Sequence, residues 1–170
     1  MWRISDLDDT HLDLIRQAAE DASIADSPEG RARLFPSPVP KKDELREGEF
    51  LEDWTDFVTD DLETEFAGDV GTLLSDLDSA VPQRSTKETP ERRLRLDVPL
   101  EHAQAWFSAL NQARLMLDQK YKLHPEGENE FTPVLREEDD SGLDMQERLE
   151  VCMRYEFYAA LQEWLVRHAK

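Results

Sequence analysis

Residues 94–123 read LRLDVPLEHAQAWFSALNQARLMLDQKYKL, and this stretch decides the fold. Together with the preceding Arg93, its first residues form the segment Arg93–Val98, in which polar and apolar side chains alternate with the period of a half-buried strand. Pro99 then opens a helix from Leu100 to about Leu123. Its apolar side chains occupy more than one face: Ala103, Trp106, Phe107, Leu110, Ala113 and Leu117 on one, and Ala105, Ala109 and Met116 on another. A helix that is apolar on several sides is buried, so we expect it to be the central helix, packed around Trp106.

The Arg93–Val98 strand needs a partner, because unpaired backbone groups are costly to bury. The other short candidate is Trp2–Ile4, in which two apolar side chains flank Arg3. The sequence therefore predicts that these two segments pair.

Amphipathic patterns predict four further helices. The first two run from Asp8 or Asp9 to about Ala22 and from about Lys42 to Phe66. Gly68 and Gly71 are expected to separate the second from a third helix, which runs from about Val70 to Val81. The fourth runs from about Asp144 to His168. The last should bury Met145, Leu149, Cys152, Met153, Phe157, Leu161, Trp164 and Leu165. A chain of 170 residues has the length of a single domain, so we expect residues 1–170 to form one domain. We expect a mainly α, single-domain bundle of about five helices with at most two short strands, Trp2–Ile4 and Arg93–Val98.

Three segments lack helical periodicity. Residues 27–40 hold Pro28, Gly30 and three further prolines, and are expected to form a Pro-rich loop. Residues 82–92 are a polar linker, and residues 124–143 an acidic loop.

Charge narrows the choice of partners. The chain has 20 basic and 39 acidic side chains, a net charge of −19. Residues 43–78 carry 14 of the acids and one base, Arg46. On the helix that spans this region, one stripe is acidic (Glu49, Asp53, Asp56, Asp60 and Glu63) and another is apolar (Phe50, Trp54, Phe57, Val58, Leu62 and Phe66). The acidic face is a solvated surface, a site for another protein with a basic surface, or a mimic of nucleic-acid phosphates.

Nucleic-acid binding is disfavoured, because it depends on Lys and Arg neutralising phosphates. One basic stretch, Arg84–Arg95, keeps open a weaker alternative, a transcription-associated protein. This stretch has no aromatic side chains on which bases could stack. We therefore favour the interpretation that it is a solvated linker followed by the solvated face of a strand.

The sequence contains no recognisable motif for catalysis or for binding a metal or cofactor. One cysteine, Cys152, and four scattered histidines offer no metal-ligand spacing, and there is no nucleophile elbow or phosphate loop. We expect no cofactor, no metal and no catalytic residue. The longest apolar run, Phe157–Leu161, is too short for a membrane span. An acidic N-terminus without a signal-peptide core and a lone thiol favour the cytoplasm.

One polar cluster lies within the central helix. Arg114 follows Leu110 by four residues and precedes Leu117 by three, which places it on or beside the apolar stripe, with Asn111 one turn away. A buried guanidinium needs a carboxylate or several carbonyl partners. Arg114 is then either an interior clamp between helices or a ligand anchor in a pocket around Asn111 and Arg114.

The stretch from Trp106 to Leu117, with Leu-Asn-x-x-Arg-Leu after the tryptophan, resembles the core signature of an uncharacterised bacterial family, DUF2017. Arg33-Leu34-Phe35-Pro36 is similar to its second motif, and Leu161–Leu165 to its closing helix. The resemblance implies a small helical protein without an assigned activity. Its actinobacterial members are often encoded near a Clp-protease adaptor, which implies a role in protein interaction or proteolysis control by association only.

These observations leave three hypotheses. The first is a non-enzymatic cytoplasmic protein-interaction or regulatory module. The second is a small-ligand-binding protein or enzyme with its pocket around Asn111 and Arg114, and the third is the transcription-associated protein.

Overall fold

The computed structural model describes residues 1–23, 27–83, 93–124 and 143–168. In chain order the elements are β1 (Trp2–Leu7), α1 (Asp9–Ala22), α2 (Pro28–Leu34), α3 (Gly48–Trp54), a π-helical turn (Thr55–Thr59), α4 (Asp60–Asp78), β2 (Val81–Pro82), β3 (Leu94–Val98), a 3₁₀ turn (Leu100–His102), α5 (Ala103–Tyr121) and α6 (Met145–His168). The fold is mainly α with short strands, as the sequence predicts.

The two strand candidates pair as expected. β1 and β3 are antiparallel, with Trp2 opposite Val98 and Ile4 opposite Leu96. The register shifts between Ile4 and Leu7, where Asp6 has a φ of 61°. Asp tolerates this left-handed conformation better than most residues. A third strand that the sequence did not predict, the two-residue β2, pairs with the other edge of β3.

α5 is the central helix, and this prediction is confirmed. It packs against α1, α2, α4 and α6. Its Trp106 is fully buried, and the inward side chains of β3, Leu94, Leu96 and Val98, are buried in the same core. β3 thereby covers one side of the bundle through the face that its alternation predicts.

α1 begins where its capping signal predicts. The Asp8 side chain accepts a hydrogen bond from the His11 backbone N–H (2.9 Å), and the Asp8 backbone N–H donates to His11 Nδ1 in return. This reciprocal capping box satisfies two backbone donors at the start of the helix. Leu12, Ile15, Ala18 and Ala22 are buried, and Ala19 is half-buried.

The predicted loop 27–40 contains a helix, and here the sequence interpretation was wrong. Ser27 caps α2 by accepting a hydrogen bond from the Gly30 N–H (2.9 Å), and Pro28 occupies its first turn. Proline breaks a helix interior but suits the first turn, where its missing N–H would have no partner. Only the part after Leu34 is irregular.

The predicted break at Gly68 and Gly71 does not occur. α4 runs through both glycines to Asp78, and helix begins at Gly48 rather than near Lys42. A glycine inside a helix costs only about 1 kcal/mol relative to alanine, which the packing of α4 against α5 outweighs. α3, the π turn and α4 therefore form one helical run of residues 48–78.

The predicted buried face of α6 is wrong in part. Met145, Leu149 and Met153 are exposed, and Phe157, Leu161 and Trp164 are half-buried. The face that packs inward holds Arg148, Val151, Cys152, Tyr155, Tyr158, Gln162 and Leu165. Because α6 has apolar residues on both sides, its periodicity alone could not select the inner one.

Most of the polar linker 82–92 and of the acidic loop 124–143 lies outside the described residues, which include only 82–83, 124 and 143 of them. Within the described parts of the chain, no helix is both long enough and apolar enough to cross a bilayer.

Candidate functional site

Residues 48–59, which comprise α3 and the π turn, form a segment that we name the acidic arm. Phe57 is 70% exposed and Phe50 is 48% exposed. Among the described residues, α3 makes extensive contact with the π turn that follows it and with no other element. Phe50 packs against Trp54, with ring centroids 6.2 Å apart. The arm therefore displays an aromatic cluster that the core does not cover.

A π turn interrupts the predicted apolar stripe. A single residue inserted into a helix shifts the following face by about 100°, the rotation that one residue makes in an α-helix. The sequence predicts one continuous stripe from Phe50 to Phe66. In the structure a π turn at Thr55–Thr59 lies within this stripe, and Phe57 in the turn is exposed whereas Phe66 after it is half-buried.

The acidic stripe is divided in the same way. Glu49, Asp53, Asp56 and Asp60 are exposed. Glu63 is half-buried and forms an ion pair with Arg31 of α2. The first four carboxylates are thus available on the surface, whereas the fifth helps to hold α2 against α4.

Trp106 is held by a carboxylate that the sequence interpretation missed. Its indole Nε1–H donates to Asp76 Oδ2 (2.8 Å), and His102 Nδ1 lies 2.9 Å from the same oxygen. Asp76 is buried. Its position, three residues after Leu73 and one before Leu77, on the predicted inner face of the helix, was the signal that could have found it.

Arg114 joins α5 to α6. Its guanidinium donates to Gln162 Oε1 (2.8 Å) and to the Tyr155 hydroxyl (3.0 Å), and lies 4.6 Å from the centre of the Tyr155 ring. Gln162 in turn donates to the Phe107 carbonyl (3.0 Å). The partners are therefore a phenol and an amide oxygen, where the sequence predicts a carboxylate or several carbonyls.

This geometry makes Gln162→Leu more damaging than Arg114→Leu. Gln162→Leu leaves the half-buried guanidinium without one of its two acceptors and removes the additional hydrogen bond to the Phe107 carbonyl, and we expect it to lower the free energy of unfolding by about 2 kcal/mol. Arg114→Leu removes the charge as well, so a loss of about 1 kcal/mol is expected. Urea denaturation followed by circular dichroism measures both, with the exposed Gln146→Leu as the control on α6. The reverse order would show that the charge itself stabilises the contact.

Asn111 is exposed on α5 and lies apart from this contact. A cavity of about 360 Å³ lies next to α5, and the residue of that helix that lines it is Gln112. Neither Asn111 nor Arg114 is among its lining residues. This cavity is therefore a different site from the pocket that the sequence predicts around Asn111 and Arg114.

Metal and thiol chemistry find no support in the described structure. In residues 1–23, 27–83, 93–124 and 143–168, no group of three His, Cys, Asp or Glu side chains is arranged to hold an ion. Cys152 is buried, and burial raises the pKa of its thiol. A buried thiol with a raised pKa is a poor nucleophile.

Comparison with known families adds one finding. The family described as "Domain of unknown function (DUF2017)" matches residues 4–169. No curated protein and no solved structure matches the chain. The match extends over nearly the whole sequence, including Trp106, Arg114 and the acidic arm.

Proposed function

This chain belongs to the DUF2017 family, and we propose that it is a non-enzymatic protein-interaction module whose acidic arm binds a protein with a basic and apolar surface. The observation that carries the proposal is the exposure of Phe50 and Phe57 on a helical segment without an extensive tertiary partner. The exposed acids Glu49, Asp53 and Asp56 lie on the same segment.

The apolar part of the arm has a physical reason to be covered. Burying a phenylalanine side chain contributes about 1.5–3 kcal/mol relative to leaving it in water. Short helices without tertiary packing are marginally stable in water. A partner that covers Phe50 and Phe57 would therefore stabilise both the contact and the helix that presents it.

The charge of the arm selects the kind of partner. The arm itself, residues 48–59, carries four acidic side chains and no basic one, and the longer segment 43–78 that contains it has a net charge of −13. A second copy of the chain would bring two such surfaces together, and like charges across an interface are costly. A partner surface with lysine or arginine beside apolar side chains meets both requirements. Its association should be steered by charge and weakened by salt.

The test uses a labelled helical peptide of lysine and leucine as the probe, with fluorescence anisotropy as the measurement. We expect the Phe50→Ala/Phe57→Ala double variant to bind it about tenfold more weakly than the wild type, because two partly buried rings are lost. Raising the salt to about 0.5 M should weaken wild-type binding further.

Phe107→Ala is the matched control, since Phe107 is also partly exposed but lies on α5. A peptide in which glutamate replaces lysine should not bind. Equal binding by the wild type and the double variant would contradict the proposal. So would an arm-dependent dimer of the chain in sedimentation experiments, because it would make a second copy the occupant.

The other two hypotheses have less support. Arg114 is engaged by Tyr155 and Gln162, and Asn111 is exposed, so the geometry does not favour a ligand site between them. Of the basic stretch, residues 84–92 lie outside the described residues, and Arg95 pairs with Asp97 (2.9 Å). A transcription-associated role stays a prediction, which a gel shift at low salt would test.

We also propose that the module acts in the cytoplasm. The single cysteine, Cys152, is buried and unpaired with any other cysteine of the chain, which suits a reducing compartment. A link to proteolysis control rests on the family resemblance alone and stays a prediction.

A further inference from the structure

We propose that the cavity between α1, α2, α4 and α5 binds one small uncharged apolar molecule that carries a hydrogen-bond donor. The cavity has a volume of about 360 Å³. Its walls are mostly apolar and come from all four helices, and include Ala19, Leu34, Phe35, Phe66, Ala67 and Val70. Volumes of this size and composition are typical of small-molecule sites.

The volume sets the size of the ligand. An apolar cavity of about 150 Å³ accommodates one benzene molecule in a protein interior. A cavity of 360 Å³ therefore holds a molecule of about 14 non-hydrogen atoms. That size corresponds to a medium-length alkyl chain or two aromatic rings.

Gln112 supplies the polar recognition. It lines the cavity and is only 5% exposed. Its amide nitrogen donates to Ser108 Oγ (3.2 Å) and points to the Phe66 carbonyl (3.5 Å). Its amide oxygen accepts no hydrogen bond from any described residue. This oxygen is not among the buried polar atoms that lack a partner, so it is open to the cavity, and a ligand O–H or N–H that replaces water on it would add specificity.

Charge argues for an uncharged ligand. The two ionised side chains that line the cavity, Arg31 and Glu63, pair with each other. An anion such as a fatty acid would have to compete with Glu63 for Arg31 and approach a segment of net charge −13. A neutral alcohol or amide avoids both costs.

The walls are held in place by two contacts between α2 and α4. The Phe35 and Phe66 rings stack with centroids 5.5 Å apart, and the Arg31–Glu63 ion pair bridges the same two helices. Neither Phe50 nor Phe57 lines the cavity, so this site is independent of the acidic arm.

The experiment compares 1-decanol with its isomer methyl nonyl ether, by isothermal titration calorimetry. The two have the same atoms, but only the alcohol has a donor for Gln112. We expect 1-decanol to bind the wild type at one site, and the ether to bind about 2- to 12-fold more weakly, the range that one hydrogen bond provides.

Two variants narrow the cavity from two different helices, Ala67→Phe on α4 and Ala19→Leu on α1. Both should abolish 1-decanol binding, whereas Ala160→Phe, at an exposed position of α6, should leave it unchanged. Gln112→Leu should remove the preference for the alcohol over the ether. Where that variant does not fold, the wild-type preference and the two narrowing variants decide the outcome.

Several results would overturn the proposal. They are the absence of saturable binding, full binding by Ala67→Phe and Ala19→Leu, or equal affinity of the wild type for the alcohol and the ether. Loss of 1-decanol binding in Phe50→Ala/Phe57→Ala would also overturn it, because the ligand would then occupy the arm. The last comparison keeps this test separate from that of the proposed function.

Discussion

Asp76→Ala is expected to lower the free energy of unfolding by about 2–4 kcal/mol. Asp76 accepts the indole N–H of the fully buried Trp106 and contacts His102, so the substitution leaves a buried donor without a partner. It also opens space beside the central helix. For a domain of this size the melting temperature should fall by about 4–16 °C.

Asp78→Ala is the matched control, since it removes the same side chain two residues further along α4. Asp78 is 76% exposed and pairs with Arg16 at 3.1 Å on the surface. Such exposed pairs contribute about 0–1 kcal/mol. Thermal and urea denaturation should therefore separate the two variants clearly. Equal losses would show that the buried carboxylate does not hold Trp106 in place.

A second comparison isolates the hydrogen bond itself. Trp106→Phe keeps an aromatic ring but removes the N–H donor. If the hydrogen bond couples the two side chains, the double variant should lose less free energy of unfolding than the sum of the losses of Asp76→Ala and Trp106→Phe. Additive losses would indicate that each side chain stabilises the core separately.

The parts of the fold that the sequence predicts are those governed by short-range patterns. The alternation of Arg93–Val98 and the need for a paired backbone predict the β1–β3 ladder, which the structure contains. The all-round apolar character of Leu100–Leu123 predicts the central position of α5. Each of these follows from burial of apolar side chains at a fixed period.

Boundaries and directions were harder to predict, because single residues decide them. Pro28 reads as a helix breaker until Ser27 is seen to cap α2. The π turn at Thr55–Thr59 leaves no trace in the apolar period of the sequence, yet it interrupts the helix in the middle of the stripe, before Phe66. Nothing local distinguishes the inner face of α6 from its outer face, which carries Met145 and Met153.

Of the residues in the candidate site, the sequence identified only those whose residue type is unusual at the position where it occurs. Arg114 and Trp106 stand out on an apolar helix, and the acidic stripe stands out by charge. The place of Asp76 between Leu73 and Leu77 marks it as inward-facing, but nothing in the sequence names its partner, and the type of Gln112, an amide on a helix, is ordinary. Their roles depend on long-range contacts, with Trp106 for Asp76 and with Phe66 for Gln112, which the pattern of one segment cannot contain.

A second buried carboxylate, Asp21, joins α1 to α6. It accepts hydrogen bonds from the Tyr158 hydroxyl (2.8 Å) and from Arg154 (2.9 Å). Asp21→Ala leaves both donors without this acceptor, and we expect the free energy of unfolding to fall by about 3 kcal/mol. Asp13→Ala, at an exposed position of the same helix, should change it by less than about 1 kcal/mol. Urea denaturation measures both, and a loss for Asp21→Ala no larger than the control would contradict the expectation.

The pH dependence of the Asp21 contribution tests its electrostatics. Burial raises the pKa of Asp21 above its ordinary value of 3.8, and the contacts with Tyr158 and Arg154 only partly oppose this rise. The folded state then binds the proton more tightly than the unfolded state. The resulting stabilisation is full below the ordinary pKa and is lost as the pH rises through the raised one. Asp21→Asn cannot titrate, so the advantage of the wild type over this variant should grow as the pH falls from about 7 to about 4. An advantage that shrinks over that range would mean that Arg154, rather than burial, dominates the pKa of this carboxyl.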